Sequence, residues 1–279
     1  MPDPAASAAD RAHAFRDLHR PGSPLLLPNP WDAGSARLLA WLGFEALATT
    51  SSGFAATLGR VDGSVTRVEA LGHAGVIVAA TELPVTADLE NGFADDPAGV
   101  AETAAGAVAV GLAGFSIEDY SGDDADPIYA TEHAAERVAA AVEAAHRDGA
   151  GLVVTARAEN HLHGRDDIDD TIARLQAYEA AGADVLYAPG PTRAQDIGAI
   201  VQALDRPVNV LARPGSPPVA ELAALGVSRI SVGGAFAFAA LEAVAAAARE
   251  FRGQGTYGFT AAAGAGSATA RRAFAQPAP

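Results

Sequence analysis

Eight short apolar runs recur along the 279-residue chain, and a helix-like stretch follows each of them. Continuous apolar runs are typical of parallel strands that are buried on both faces. Strands that alternate with helices imply a parallel sheet with right-handed crossovers. Several helical stretches end at a glycine just before the next strand, where helices commonly stop. We therefore predict an α/β fold, a single (β/α)8 TIM-type barrel. An open doubly wound sheet is the alternative, and the count of eight units favours the barrel.

The pattern assigns nearly the whole chain to this unit. Strands are predicted at residues 25–28, 45–50, 84–88, 114–118, 152–157, 184–188, 208–211 and 229–232. Helices are predicted at residues 34–42, 67–81, 97–110, 131–147, 167–180, 192–203, 218–225 and 236–251. Residues 1–20 form an N-terminal arm, disordered over 1–9, with a short helix over 9–19. Residues 21–259 form the catalytic barrel domain, and the Ala/Gly/Ser-rich residues 260–279 form a flexible tail or a short arm.

Composition excludes several classes of protein. The formal net charge is -15, from 34 acidic against 19 basic residues, whereas nucleic-acid binding requires a basic surface. The absence of cysteine excludes disulfides, thiolate metal sites and a cysteine nucleophile. No apolar run reaches the ~20 residues that span a bilayer, and residues 1–20 lack the apolar core of a signal peptide. We expect a cytoplasmic protein that binds neither nucleic acid nor membrane.

Acidic residues follow two neighbouring apolar runs at their C-terminal ends. Asp88 and Glu90 come at the end of the third predicted strand, and Glu118 ends the fourth. In a (β/α)8 barrel the C-terminal strand ends share one face, which carries the active site. Three carboxylates there repel one another unless a cation lies among them or some stay protonated. We interpret them as ligands of Mg²⁺, with Mn²⁺ as an alternative, rather than as helix caps or solvated loop residues.

Arg157 ends the fifth predicted strand, and Glu159 follows two residues later. A buried arginine is costly unless it is paired with an anion. Its planar guanidinium can bind a carboxylate or a phosphoryl group in a bidentate way. We predict that Arg157 is catalytic and, with Glu159, binds substrate. A structural ion pair between Arg157 and Glu159 or Glu118 is the alternative.

Hydroxyl-bearing residues and a glycine close the second predicted strand. Hydroxyls and exposed backbone N–H groups can cradle a carboxylate or an oxyanion. An ordinary turn is the alternative for such a cluster. Asp62 lies farther along this loop, and its sequence context alone favours an Asp-Gly turn. The candidate substrate-binding residues of this segment are Thr50, Ser52, Gly53 and Phe54.

Two histidines and an acidic loop follow other strand ends. His161 and His163 have no third ligand of suitable spacing, so we reject a metal site there. His161 remains a candidate for substrate contact because it follows Arg157 at the catalytic end. Residues 120–129 follow Glu118, and their glycine, three aspartates and proline favour an irregular loop. We predict a lid that closes over the site, with a static solvated loop as the alternative.

These motifs, in this order, resemble the isocitrate lyase / phosphoenolpyruvate mutase superfamily. The resemblance covers roughly residues 25–259 and rests on segments 29–36, 50–53, 58–63, 87–93, 117–119, 156–159, 180–184 and 207–210. It implies an α/β barrel, Mg²⁺, and substrates that pass through an enolate of pyruvate or of a similar 2-oxo acid. Superfamily members cleave C–C bonds, decarboxylate or hydrolyse oxaloacetate-like acids, or move a phosphoryl group between oxygen and carbon.

The resemblance also implies roles for individual residues. Asp88 would bind Mg²⁺ directly, and Glu90 and Glu118 would hold it directly or through water. Arg157 would neutralise the leaving or enolate oxygen. The remaining roles are substrate-carboxylate binding by Ser52, Gly53 and Phe54, a place near the metal for Asp62, and a substrate contact for Asn209 in segment 207–210.

The chain departs from the superfamily pattern in the groups that move protons. Methylisocitrate and isocitrate lyases carry a Lys-Arg-Cys-Gly-His loop after the strand that corresponds to the one ending at Glu118, and mutases bring a lysine and an asparagine there. This chain has neither, and the mutase histidine corresponds to Ala188. Proton transfer then falls to Tyr120, His161 or Asp62, or the reaction needs little of it.

The combined prediction is a Mg²⁺-dependent lyase. It would cleave a C–C bond of a small 2-oxo or 2-hydroxy di- or tricarboxylate through a metal-stabilised enolate. A phosphoenolpyruvate or phosphonopyruvate mutase or hydrolase is one alternative, and a non-catalytic barrel that binds metal and carboxylate is another. The apolar residues 236–251 predict a buried helix, and the superfamily often exchanges its last barrel helix between subunits. We therefore expect a homodimer or a homotetramer.

Overall fold

Eight parallel strands pair in an order that follows the sequence around a barrel. The computed structural model describes residues 7–275. Within them the order is β1-β8-β7-β6-β5-β4-β3-β2. The strands are β1 (Leu25–Leu27), β2 (Leu47–Ala48), β3 (Val85–Asp88), β4 (Gly114–Glu118), β5 (Val153–Arg157), β6 (Val185–Tyr187), β7 (Val208–Leu211) and β8 (Arg229–Ser231).

The seam between β1 and β2 closes the barrel. Ala48 N donates to Pro28 O at 3.0 Å. The Asn29 side chain extends the closure, because its Nδ2 donates to Thr49 O at 2.9 Å and its Oδ1 accepts from Val232 N at 3.1 Å. The predicted closed barrel is confirmed, and the open sheet is not formed.

The helices run between the strands and end near the predicted positions. They are α1 (Ala8–Asp17), α2 (Ala33–Trp41), α3 (Ser51–Thr57), α4 (Arg67–Val78), α5 (Pro97–Ala109), α6 (Thr131–His146), α7 (Ile168–Ala180), α8 (Ala194–Gln202), α9 (Val219–Ala224), α10 (Ala235–Gln254) and α11 (Thr260–Ala273). Side-chain caps fix several starts: Thr66 caps α4 in a capping box, and Asp96 caps α5 just before Pro97.

Small side chains fill much of the space between the strands and the outer helices. Alanines such as Ala104, Ala107 and Ala141 are fully buried there. A second cluster closes the end of the barrel that faces away from the C-terminal strand ends. In it Phe15 of α1 packs with Leu25, Leu27, Ala46, Ala48, Ala113, Val153 and Val185. Helix α1 therefore covers this end of the barrel.

Two segments differ from the sequence prediction. Residues 260–273, where a flexible tail or a short arm is predicted, form helix α11. That helix packs on α2, with the Arg272 guanidinium 5.4 Å from the Trp41 ring. The cluster predicted as a cradle or turn after β2 instead begins α3. The disorder predicted for residues 1–9 lies mostly outside the described residues, and α1 begins at Ala8.

Helix α10 lies on the barrel with most of its large apolar side chains exposed to solvent. Phe236, Phe238, Leu241, Val244 and Phe251 are 40%, 49%, 49%, 67% and 58% exposed, respectively. The single chain leaves these side chains exposed, and the burial predicted for this helix involves a partner subunit. Across residues 7–275, no helix combines the length and apolarity that crossing a bilayer requires.

Candidate active site

Three charged residues end three consecutive strands, and the sheet brings them together. Asp88 ends β3, Glu118 ends β4 and Arg157 ends β5. Glu118 is in register with Arg157, and Asp88 is in register with Ser116, two residues before Glu118. Since side chains two apart share a face of a strand, all three point into the same mouth of the barrel. The convergence predicted from the sequence is present.

Arg157 is surrounded by carboxylates. Its Nη1 lies 2.8 Å from Asp88 Oδ1, and its Nη2 lies 3.1 Å from Glu118 Oε2. Nε and Nη2 both lie 2.8 Å from Glu159 Oε1. The Tyr187 ring packs 5.2 Å from the guanidinium carbon. The guanidinium is therefore held in one orientation at the barrel mouth.

Burial and charge act in opposite directions on this cluster. Burial alone would lower the pKa of Arg157, but Glu159, Glu118 and Asp88 hold it well above its ordinary value. Burial raises the pKa of Glu118 strongly and that of Glu159 to about 7, while Arg157 opposes both shifts. Arg157 thus stays cationic, and the two buried glutamates hold protons more readily than free ones.

Glu90 adds further negative charge beside the same cluster. Burial, then Asp88 and then Asp62 raise the pKa of Glu90 to about 7. Its backbone lies in the left-handed region with φ 47°, a conformation that is uncommon for a residue with a side chain. The loop geometry therefore holds Glu90 toward carboxylates that repel it.

The carboxylates suit a hydrated divalent cation better than a fully protein-bound one. Among residues 7–275, no group of three or more histidine, aspartate or glutamate side chains has the arrangement that would enclose a metal ion. Mg²⁺, however, keeps several waters and uses only one or two carboxylates. Asp88 and Glu90 offer hard oxygen donors, and the repulsion that raises the pKa of Glu90 is one that a cation would relieve. The donor set therefore fits Mg²⁺.

The start of α3 orders Asp88. Ser51 Oγ donates to Asp88 Oδ2 at 3.0 Å, and Ser51 N lies 3.3 Å from the same oxygen. Thr49 Oγ1 accepts from Asp88 N at 3.0 Å. Asp62 lies on the exposed loop after α3, and the nearby Ser51 side chain opposes the rise that burial causes in the pKa of Asp62. Ser51, which the sequence analysis did not single out, thus lies beside two acids of the site.

The predicted carboxylate cradle separates into two parts. Thr50 and Ser52 line the inside of the barrel mouth, and their hydroxyls lie 3.1 Å apart. Gly53 instead lines a small apolar recess against α10. The Phe54 ring stacks on His73 with 3.9 Å between centroids. Only the first two of these residues are therefore placed to meet a ligand in the barrel.

Two connected cavities open at this face. The inner cavity, of about 210 Å³, runs into the barrel from Thr50, Ser52, Asp88 and Arg157 and is also lined by Asn209. The outer cavity, of about 570 Å³, lies above it and is lined by residues that include Asp62, Glu90, Glu118, Tyr120, Glu159 and His163. The strand-end acids predicted from the sequence thus each line one of the two cavities, and Arg157 lines both.

Two of the three residues predicted to transfer protons, Tyr120 and His161, differ in position. Tyr120 lines the outer cavity, stacks on His163 at 4.1 Å and donates to Asp124 at 3.0 Å. His161 lines neither cavity: its Nδ1 lies 3.2 Å from Asp166 Oδ1, and its buried Nε2 has no partner. His163 therefore takes the position at the cavity that the sequence analysis gave to His161.

Supporting residues fix the loops that carry the acids. Arg137 of α6 donates to Glu118 O at 3.1 Å, to Ala94 O at 2.9 Å and to Asn91 O. It therefore joins the end of β4 to the loop that follows β3. Asp119 accepts from Glu159 N at 2.8 Å and from the Tyr178 hydroxyl at 2.6 Å. Their only sequence signal is a charge within an otherwise apolar pattern.

Comparison with known proteins places the chain in one family. The family model for phosphoenolpyruvate phosphomutase matches residues 15–252. A crystal structure of a provisionally named lyase/mutase from Burkholderia cenocepacia J2315 is 55% identical, with a TM-score of 0.93, and the match covers 97% of this chain and 98% of that one.

Relatives with named activities break C–C bonds. Oxaloacetate decarboxylase of Pseudomonas putida GB-1 is 31% identical over 90% of this chain and 88% of its own length. A crystal structure of 2,3-dimethylmalate lyase is 30% identical, with a TM-score of 0.81, over 91% of this chain and 90% of that one. These matches confirm the resemblance drawn from the sequence motifs and the prediction of an enzyme of the carbon–carbon lyase type. The chain belongs to the phosphoenolpyruvate mutase/isocitrate lyase superfamily.

Proposed function

We propose that the protein is a Mg²⁺-dependent lyase that cleaves a C–C bond of a small 2-oxo or 2-hydroxy di- or tricarboxylate. The observation that carries this proposal is the Arg157 guanidinium, held by Asp88, Glu118 and Glu159 where the inner and outer cavities meet. A fixed cation at that point would stabilise negative charge that develops on a substrate oxygen. The activities of the relatives support the same reaction class.

Two carboxylates would hold the metal. Asp88, oriented by Ser51, would bind it directly, and Glu90 or Glu118 would bind it directly or through water. When bound, Mg²⁺ would act as a Lewis acid on the substrate C1 carboxylate and C2 oxygen. Arg157 and the metal together would offset part of the negative charge of the five nearby acids, which are Asp62, Asp88, Glu90, Glu118 and Glu159.

The other residues of the mouth would orient the substrate. Thr50 and Ser52 present hydroxyls to the inner cavity and can donate to a carboxylate. Asn209 faces the same cavity from β7. Such contacts hold the breaking bond in one orientation, which lowers the entropic part of the barrier.

Proton transfer to the product carbon would come from the outer cavity. Tyr120 and His163 stack there, and Asp62 lies at its edge. A decarboxylation needs one proton at the carbon that loses carbon dioxide, and a retro-aldol cleavage needs in addition a base for the hydroxyl proton. Tyr120, His163 and Asp62 are the side chains that would donate the proton to carbon and accept the hydroxyl proton.

A panel of acids tests the proposal. Release of pyruvate, glyoxylate or carbon dioxide would be followed for small 2-oxo and 2-hydroxy di- and tricarboxylates, with Mg²⁺ and with EDTA. We expect turnover of at least one acid, lost with EDTA. Phosphonopyruvate followed by phosphorus NMR addresses the mutase alternative, which the family model favours and the lack of a lysine and an asparagine after β4 disfavours.

A matched pair of variants separates chemistry from folding. Asp88→Asn should abolish turnover and Mg²⁺ binding while the barrel stays folded, because Asp88 is at the C-terminal strand ends rather than in the apolar core. Asp205→Asn, on an exposed loop before β7, should leave both unchanged. Full activity of Asp88→Asn, or activity that is insensitive to EDTA, would contradict the metal assignment.

A further inference from the structure

We propose that Arg229 forms an anion-binding floor of the inner cavity, which takes the second carboxylate of a dicarboxylate. The inference rests on the proposed function in one respect, since it names which class of acid the lyase would select. It concerns a residue outside the metal cluster, at the start of β8.

The side chain of Arg229 is buried among neutral groups. The residue is 4% exposed. Its Nε donates to Asn209 Oδ1 at 2.9 Å and its Nη2 donates to Thr155 Oγ1 at 3.1 Å. Its Nη1 lies 3.2 Å from Nε2 of His19. None of the ion pairs formed among residues 7–275 includes Arg229.

His19 is neutral in this position. Its Nδ1 lies 2.8 Å from Phe15 O, so Nδ1 carries the proton and Nε2 accepts from Arg229. Burial first, and then Arg229, lower the pKa of His19 to about 3. Burial, followed by Arg157, lowers the pKa of Arg229 itself to about 10, against an opposing effect of Tyr187. The surrounding groups thus leave the cation without a counter-charge.

The guanidinium groups of other arginines in the barrel have different partners. Arg157 has three carboxylates, and Arg174 has Asp119 and Asp170. Arg137 is held by backbone carbonyls. A buried charge is costly unless an opposite charge compensates it. An anion that enters the barrel would supply the compensation that Arg229 lacks.

The inner cavity gives such an anion access. Arg229 lines it together with Asn29, Thr86, Asn209 and Ser231, so the barrel interior there is polar rather than filled by branched apolar side chains. Thr155, which contacts Arg229, precedes Arg157 by two residues on β5. Side chains two apart share a strand face, so Arg229 lies one layer below Arg157.

The cavity is therefore polarised along its length. Carboxylates and Arg157 surround the mouth, and an uncompensated guanidinium lies at the floor. An acid with one carboxylate at the mouth and a second one deeper would contact Arg157 with the first and compensate Arg229 with the second. An acid with a methyl group in the second position would leave the floor charge unpaired, which disfavours binding.

Malate and 2-hydroxybutyrate form a matched pair of probes. Both are stable four-carbon 2-hydroxy acids, and they differ by a carboxylate in place of a methyl group. Calorimetric titration in the presence of Mg²⁺ should give malate an affinity about tenfold or more higher than that of 2-hydroxybutyrate. Arg229→Met should remove this difference while 2-hydroxybutyrate binds as before, and Arg229→Lys should retain part of it. Arg193→Met, on the exposed start of α8, is the control and should behave as wild type.

Two results would overturn the inference. One is equal affinity of the wild-type protein for the two acids, a measurement that needs no variant to fold. The other is a variant Arg229→Met that loses affinity for both acids equally, as a merely structural guanidinium would require. Failure of the proposed function has a different signature: no acid of the panel is turned over, while malate selectivity still depends on Arg229.

Discussion

Arg157 shows how one residue can be both structural and functional. Three carboxylates compensate its charge, so its position is stable without a ligand. The same contacts hold the guanidinium at the cavity mouth, where an oxygen that gains charge would meet it. Substrate and metal could replace some of these contacts, and the remaining carboxylates would still pair with the buried guanidinium.

The shape of the guanidinium, beyond its charge, can be tested by Arg157→Lys. Lysine keeps the positive charge but cannot contact three carboxylates as a planar fork. We predict that turnover falls by about 100-fold or more. The measurement is the steady-state rate together with the melting temperature, with Arg193→Lys as the surface control. A variant that melts earlier but keeps its rate in the folded fraction would show that Arg157 is a structural ion pair only.

His19 makes the stability of the fold depend on pH. The folded protein holds the pKa of His19 at about 3, while in the unfolded chain it is about 6.5. The unfolded chain therefore binds a proton first as the pH falls, so this residue lowers the free energy of unfolding below pH 6.5. The full effect is about 1.4 kcal/mol per pH unit between the two pKa values.

The comparison that isolates His19 uses His19→Gln, which carries no charge at any of these pH values. Glu90 and Glu159, whose pKa values are raised to about 7, act in the opposite sense, because the folded state binds their protons first. We therefore predict a difference rather than an absolute slope. The free energy of unfolding of wild type minus that of His19→Gln should fall from pH 6.5 to pH 5. His13→Gln, at an exposed position of α1, is the control for the substitution itself.

At the scale of elements, the strands and most helices were predictable, and the helices α3 and α11 were not. The strands are short, largely apolar runs, and several follow a helix that ends at a glycine, as residues 114–118 do after Gly111. Helix α3 was missed because Thr-Ser-Ser-Gly is equally typical of a turn, and only packing against α10 and the bonds to Asp88 select the helix. Helix α11 was missed because alanine, glycine and serine give it a weak signal of its own.

The site residues also divide into those that could be predicted from the sequence and those that could not. Asp88, Glu118 and Arg157 were predictable because strand ends of one sheet converge. Arg229 begins a strand instead of ending one, so its role depends on the depth of a cavity that sequence does not reveal. His163 replaced His161 at the cavity because the short 3-10 helix Asn160–His163 turns the two rings apart.

The loop of residues 120–129, which is predicted as a lid, forms a hairpin at the rim of the outer cavity. Tyr120 pairs with Ile128, Ser121 N donates to Pro127 O at 2.8 Å, and Tyr129 N donates to Asp119 O at 3.0 Å. These bonds make a hairpin whose base is fixed and whose tip is exposed. We predict that its tip, residues 122–126, gains protection from hydrogen exchange when Mg²⁺ and oxalate bind. Unchanged exchange despite demonstrated oxalate binding would leave a static loop as the correct description.

At the scale of the whole molecule, the exposed apolar side chains of α10 form a surface that a second copy of the chain could cover. Its exposed phenylalanines, Leu241 and Val244 form a patch that monomeric proteins seldom leave in contact with water. We therefore propose that two or four copies of the chain associate through this helix.

Light scattering of the wild-type protein at micromolar concentration should give a dimer or a tetramer. Leu241→Glu should shift the population toward the monomer, because it places a charge within the patch. Val68→Glu on α4, also at an exposed position, is the control and should leave the mass unchanged. A wild-type monomer would exclude this association.

The Asn29 side chain has a consequence for how the chain reaches its fold. It joins β1 to β8 through Val232, 203 residues away in sequence, and to β2 through Thr49. Bringing such distant segments together costs chain entropy before any contact repays it. We expect the first strand to dock late, after the β2–β8 sheet has formed. Until then β2 and β8 are open strand edges, at which one folding chain can pair with another.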